Sequence, residues 1–131
     1  MYKDYKIWSK IKFKINNKIY FFFGIKEREI WYVNLGENIG FEEDGKGNGF
    51  IRPVLVLKVF SSRLCFVVPI TSKEKKGRFY FEFNFNKEKK SWAILSQFRA
   101  LDSLRFVRKI GILSKEEFSY IKNKTKNILS L

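Results

Sequence analysis

A chain of 131 residues with 45% hydrophobic content has room for one domain with a modest core and is too apolar to be disordered. With no histidine and one cysteine, it lacks the ligands for a zinc or other soft-metal site, the commonest general acid–base group, and any internal disulfide. Its 27 Lys and Arg against 13 Asp and Glu leave a formal charge of +14, which suits a polyanion: nucleic acid or an anionic membrane face.

Residues 1–18 are basic, and Trp8, Ile11 and Ile15, with Ile7 beside them, fall on one face of a helix. The alternative for this segment is an unstructured basic arm. Met1 is followed by mixed charge and not by an apolar run, so no secretory leader is expected. The apolar stretch at 19–25, "IYFFFGI", is far below the ~20 residues that a membrane-spanning helix needs. A soluble, cytoplasmic protein without a membrane partner is expected.

Residues 28–36, "REIWYVNLG", have strand composition and close on Gly36. The next stretch, "ENIGFEEDGKGNGF" at 37–50, is a loop. It is no phosphate-binding P-loop, because Gly-Lys-Ser/Thr is missing and no helix opens after it. It carries Glu37, Glu42, Glu43 and Asp44, which makes it the most acidic part of a basic chain.

Then comes "IRPVLVL", Ile51 to Leu57. Pro53 suits the head of a strand. Arg52 stands where the chain enters the core, so its cation is either paired off or aimed at something. Residues 52–60 and 63–70 predict an antiparallel hairpin across Ser61 and Ser62, with Cys65 as a buried core thiol. Residues 78–85 alternate, which predicts a strand with Phe79, Phe81, Phe83 and Phe85 on its buried face. Residues 91–95 are a further strand candidate. Residues 96–113 are mixed: a helical turn near Asp102–Arg105, then a strand over Arg108–Leu113. Ser114 and Glu117 form a capping box for a last helix, with Phe118, Ile121, Ile128 and Leu129 on one face. Five or more short antiparallel strands closed by a helix predict a mainly β fold, a small barrel or sandwich, in a single domain over 1–131.

Four ordered blocks resemble the MazF/PemK family of toxins from toxin–antitoxin pairs. They are the Glu29-Ile30-Trp31 strand, the Gly-x-Glu loop leading into Arg52-Pro53-Val54-Leu55-Val56, the strand end Pro69-Ile70-Thr71-Ser72, and the segment holding Gln97, Asp102 and Arg105 before Ile110-Gly111. The resemblance runs from about Glu29 to the C-terminus. It implies an SH3-like, or plasmid-toxin-like, antiparallel barrel over 28–131 with a C-terminal helix, leaving 1–27 as a basic, helical N-terminal extension. It further implies a homodimer, a cognate antitoxin partner, no cofactor and no metal. The implied activity is cleavage of single-stranded RNA at short specific sequences, leaving a 2′,3′-cyclic phosphate and a 5′-hydroxyl.

Such chemistry uses the RNA's own 2′-hydroxyl, with a base, a cation for the phosphorane and an acid for the leaving oxygen. By resemblance Arg52 supplies the cation; its plainer role is a salt bridge to Glu42 or Glu43. Thr71 contributes a hydroxyl to the phosphate, or merely satisfies a strand-end turn. Glu42 is the implied general base, or the group that orients Arg52. Ser72, Gln97 and Glu43 are supporting candidates, and Asp102 is expected chiefly to anchor the turn before Arg105. Glu43 stands where the family often has Gln. Ile94 and Ser96 replace an Arg and an Asp that some members carry, so a mechanism using that pair does not transfer. The loop between Glu42 and Arg52 is longer and richer in glycine than in compact members. Lys73, Lys75, Lys76 and Arg78, with Lys87, Lys89 and Lys90 beyond, suit backbone phosphates, and Phe79, Tyr80 and Trp92 offer rings for stacking, with the core the favoured place for Phe79. Two other readings fit the charge: an inactive binding module on the same fold, gyrase poisons included, and a structural nucleic-acid-associated protein.

Overall fold

The computed structural model describes residues 3–18, 24–86 and 89–130. Most of the 19–25 apolar run, together with Lys87 and Glu88, lies outside them. Among the described residues no helix is long and apolar enough to cross a membrane.

The chain begins with helix α1, Tyr5–Asn17, capped by Asp4, whose carboxylate accepts the Ile7 amide at 3.1 Å. Among the described residues seven strands follow: β1 (Glu29–Asn34), β2 (Ile51–Val59), β3 (Leu64–Thr71), β4 (Tyr80–Asn86), β5 (Lys89–Ile94), β6 (Arg99–Asp102) and β7 (Phe106–Ile112). Helix α2, Lys115–Leu129, ends the fold. Every pairing is antiparallel, in the order β4-β5-β3-β2-β1-β7, with β6 added beside the first half of β3. The sheet curls until its two edges meet, and Phe85 of β4 packs over Gly111 of β7.

The curl gives the central strands two buried faces, which explains their continuous apolar runs. In β2, Leu55 and Leu57 enter one core with Ile30, Val68, Ile70, Phe118 and Ile121, under α2. Val54 and Val56 enter a second core with Trp31, Val33, Cys65, Leu101 and Phe106. Cys65 is buried, as expected.

Three expectations need adjustment. Phe79 precedes β4 and lies exposed beneath the Arg78 guanidinium at 5.1 Å, so it is not a core residue. Trp92 is buried in β5, which removes it as a stacking platform. Strand β6 has only four residues and no alternation, because it fills the gap that β5 leaves beside β3.

Candidate functional site

Loop 35–50 joins β1 to β2 and is closed on itself. The amides of Leu35 and Gly36 both donate to the Phe50 carbonyl, and Lys46 and Ile51 exchange backbone bonds of 2.8 and 2.9 Å. Gly45 is pressed so tightly on the Phe50 carbonyl that a Cβ there would overlap it, at 1.6 Å. The loop therefore has a fixed path, and it brings Glu43 and Asp44 over the start of β2.

Arg52 is buried by that path. Its Nε donates to the Asp44 carbonyl at 2.6 Å and one terminal nitrogen to the Ile70 carbonyl at 3.2 Å. The other terminal nitrogen pairs with Glu43 Oε2 at 3.0 Å. The guanidinium is thus held in a fork of two carbonyls and one carboxylate, in one orientation. Its carboxylate partner is Glu43, not Glu42.

Arg52 and Thr71 line one cavity of about 350 Å³, with Ser72, Tyr32, Lys46 and Ser91. The Thr71 hydroxyl oxygen accepts the Lys73 amide at 3.2 Å, which leaves its hydrogen to donate into that space. A second recess of about 460 Å³ lies on the other side of the loop and is lined by Glu42, Glu43, Gln97 and Arg99 among others. Glu42 is exposed there, and its carboxylate accepts the Ile39 amide at 2.8 Å. Among the described residues no hydrogen bond or ion pair joins Glu42 to Arg52. Glu43 belongs to both sides, since it lines the second recess and bonds the cation of the first.

Gln97 acts as a clamp on the loop. Its Oε1 accepts the Glu43 amide at 3.1 Å and its Nε2 donates to the Phe41 carbonyl at 2.9 Å. Asp102 caps the turn at Ser103–Arg105 by accepting the Leu104 amide at 2.8 Å, and pairs with Arg63 at 3.4 Å. Lys73, Lys76 and Arg78 are exposed on the β3–β4 loop, and Lys75 is half-buried.

Two cations at the site carried no signal in the sequence. Lys46 sits between two glycines of the loop and lines the first cavity. Arg99, on β6, lines the second. Burial pushes the Arg99 guanidinium below its ordinary value, and the Glu42 carboxylate opposes that. Arg105 is lowered by burial and then by repulsion from Arg99, against the pull of Asp102.

Glu29, the first residue of the Glu-Ile-Trp block, is a buried structural anion. It accepts the Lys26 amide at 2.8 Å, the Trp31 indole at 3.0 Å and the Lys109 ammonium at 2.9 Å. Burial works to raise its carboxyl, but these three donors outweigh burial and hold it below the usual value. Among the described residues, no group of three or more acidic, cysteine or histidine side chains stands together as a metal site.

Comparison with known proteins agrees with the fold. The model of the PemK-like, MazF-like toxins of type II toxin–antitoxin systems matches residues 26–129. Among solved structures, a MazF of Deinococcus radiodurans superposes with a TM-score of 0.67 at 18% identity, covering 82% of this chain and 97% of its own. The Mycobacterium tuberculosis toxin MazF-mt6 superposes at 0.61 with 18% identity, covering 79% and 98%. A mycobacterial endoribonuclease in complex with its cognate antitoxin superposes at 0.61 with 9% identity, covering 82% and 96%. No curated protein matches the sequence.

Proposed function

This chain belongs to the PemK-like, MazF-like toxins of type II toxin–antitoxin systems, and on that premise we propose that it is an endoribonuclease cutting single-stranded RNA at short specific sequences. The observation that carries the reading is the Arg52 fork: a buried guanidinium fixed at the mouth of a cavity that it shares with the Thr71 hydroxyl.

In this reading a scissile phosphate enters the cavity and takes the place of the Glu43 carboxylate on Arg52. The RNA 2′-oxygen attacks phosphorus as its proton passes to a carboxylate, the bond to the 5′-oxygen breaks, and the leaving 5′-oxygen takes a proton from solvent water, so that a 2′,3′-cyclic phosphate and a 5′-hydroxyl result. Arg52 and Thr71 stabilise the charge that grows on the phosphorane oxygens; such donors are worth most where charge develops. Arg52 serves in this scheme by charge and orientation, as its planar fork of donors suits phosphate oxygens. The carboxylate displaced from Arg52 is well placed to accept the 2′-hydroxyl proton, so the geometry supports Glu43 over Glu42 for that role. Ser72 lines the same cavity. Glu42, Gln97 and Asp102 hold the loop and turn around it, and Lys73, Lys75, Lys76 and Arg78 take backbone phosphates.

No metal or other cofactor is needed in this scheme. The chain works as a homodimer, in the cytoplasm where mRNA is found, and is neutralised by a cognate antitoxin. The antitoxin complex of the mycobacterial relative supports that last point. Residues 1–131 act as one domain, 1–27 being an addition to the barrel.

Purified protein incubated with a mixed-sequence RNA pool in EDTA is expected to give discrete fragments ending in cyclic phosphate, and Arg52→Ala is expected to abolish them. Intact RNA, or the same fragments from Arg52→Ala, overturns the assignment.

A further inference from the structure

Residues 3–17, outside the family match, are tied into the loop that holds Arg52. Lys3 is the first tie. Its side chain is 5% exposed, and its ammonium donates to the carbonyls of Asn38 at 2.6 Å and Gly40 at 3.0 Å and pairs with the Asp44 carboxylate at 3.1 Å. A buried ammonium is stable only with such a full set of acceptors. The Asp44 carboxylate in turn accepts the Asn38 amide at 2.6 Å, and the Tyr5 hydroxyl donates to the Asn38 carbonyl at 2.9 Å.

Trp8 is the second tie. It is the buried residue of α1, and its indole lies flush on Gly36, where a Cβ would come within 2.3 Å of the ring. It packs on Phe50 with ring centroids 5.5 Å apart, and Arg105 sits over it at 5.9 Å while bonding the Asn34 and Leu35 carbonyls. So α1 grips both ends of the loop through Trp8, and the start of the chain grips its middle through Lys3. The same loop supplies the Asp44 carbonyl and the Glu43 carboxylate that orient Arg52.

We propose that Lys3 and Trp8 are positioning residues for Arg52, acting through loop 36–50. The effect on catalysis rests on the endoribonuclease reading; the effect on Arg52 does not. Lys3 touches neither Arg52 nor the cavity, yet Asp44 lies between them, with its side chain on Lys3 and its carbonyl on Arg52. Without Lys3 that carboxylate loses its cation, the Gly40 carbonyl loses its Lys3 donor and the Asn38 carbonyl is left with Tyr5, so the fork loosens.

The test uses the full chain as wild type, Lys3→Met, Lys3→Arg and Trp8→Ala. The Arg52 Nε–H resonance is followed by nuclear magnetic resonance, since its bond to Asp44 protects it from exchange with water. In Lys3→Met that protection is expected to fall by tenfold or more, along with that of the Asn38 amide. The β2 and β3 amides and the melting temperature are expected to hold, and Lys3→Arg to restore most of the protection. With RNA, kcat is expected to fall about ten- to a hundredfold, as small misplacements of a catalytic group do, with KM within about twofold. Unchanged Arg52 protection in both Lys3→Met and Trp8→Ala overturns the proposal, whether or not RNA is cut. A lost Arg52 signal with unchanged kcat overturns the catalytic half alone. Wild-type protein that leaves RNA intact refutes the endoribonuclease reading while the resonance still decides the positioning.

Discussion

Taking a guanidinium out of water costs several kcal/mol per ion unless acceptors replace the water, and at Arg52 the fork of Asp44, Ile70 and Glu43 supplies one acceptor to each of its three nitrogens. In the proposed reaction a phosphate exchanges for Glu43 on Arg52. Glu43→Gln is therefore expected to split the kinetics. KM falls severalfold, because a neutral amide competes less well for Arg52, while kcat falls about a hundredfold through loss of the proton acceptor. Steady-state cleavage of a short fluorescent RNA reads both; a rise in kcat would remove Glu43 as the base. Arg52 and Thr71 were legible in the sequence because each follows a fixed block at a strand end. The choice between Glu42 and Glu43 was not, since adjacent residues of an irregular loop point where the loop's path sends them. Lys46 and Arg99 were illegible for the same reason: nothing local distinguishes them from surface cations.

Elements with a strong local signal formed as the sequence predicts. Ser114 accepts the Glu117 amide at 3.1 Å, and Phe118 and Ile121 face the core, with Thr125 filling the next position of that face. Strand β6 and the start of β5 were hidden, because their pairing on β3 comes from the curl and not from their own composition. Glu29 shows how a strand can be pinned by one side chain. Its carboxyl is held below the ordinary value of 4.5, so the stability it gives is present above that pH and is lost as pH falls through the depressed value. Glu29→Gln is expected to cost about 2 kcal/mol at neutral pH, typical of losing charge-assisted bonds. Urea melts of the two proteins should converge on acidification below 4.5. A gap that stays constant across that range would mean the charge is immaterial.

At the scale of the molecule, +14 of formal charge was legible at once, but its division of labour was not. Some cations are bonded into the fold, as Lys3, Arg52 and Arg105 are, while the β3–β4 loop presents Lys73, Lys76 and Arg78 to solvent. Replacing Lys73, Lys75 and Lys76 by Gln is expected to weaken binding of a 2′-deoxy-substituted, uncleavable RNA about equally for all sequences. It should also flatten the plot of log affinity against log salt by about 2, at about 0.7 per phosphate contact with a single strand. The positions cut in ordinary RNA should not change; if they do, these lysines read bases.

Arg52 has its Cα on β2, buried on both faces, while its guanidinium is steered by a loop held through a handful of local bonds. These two supports need not fail together on heating, because segments with few buried contacts open at lower free energy than core strands. The protein is therefore expected to have two thermal thresholds. Cleavage should fade at a temperature where circular dichroism still reports an intact sheet, and return in full on cooling. Loss of activity that coincides with melting would mean that loop and sheet open as one.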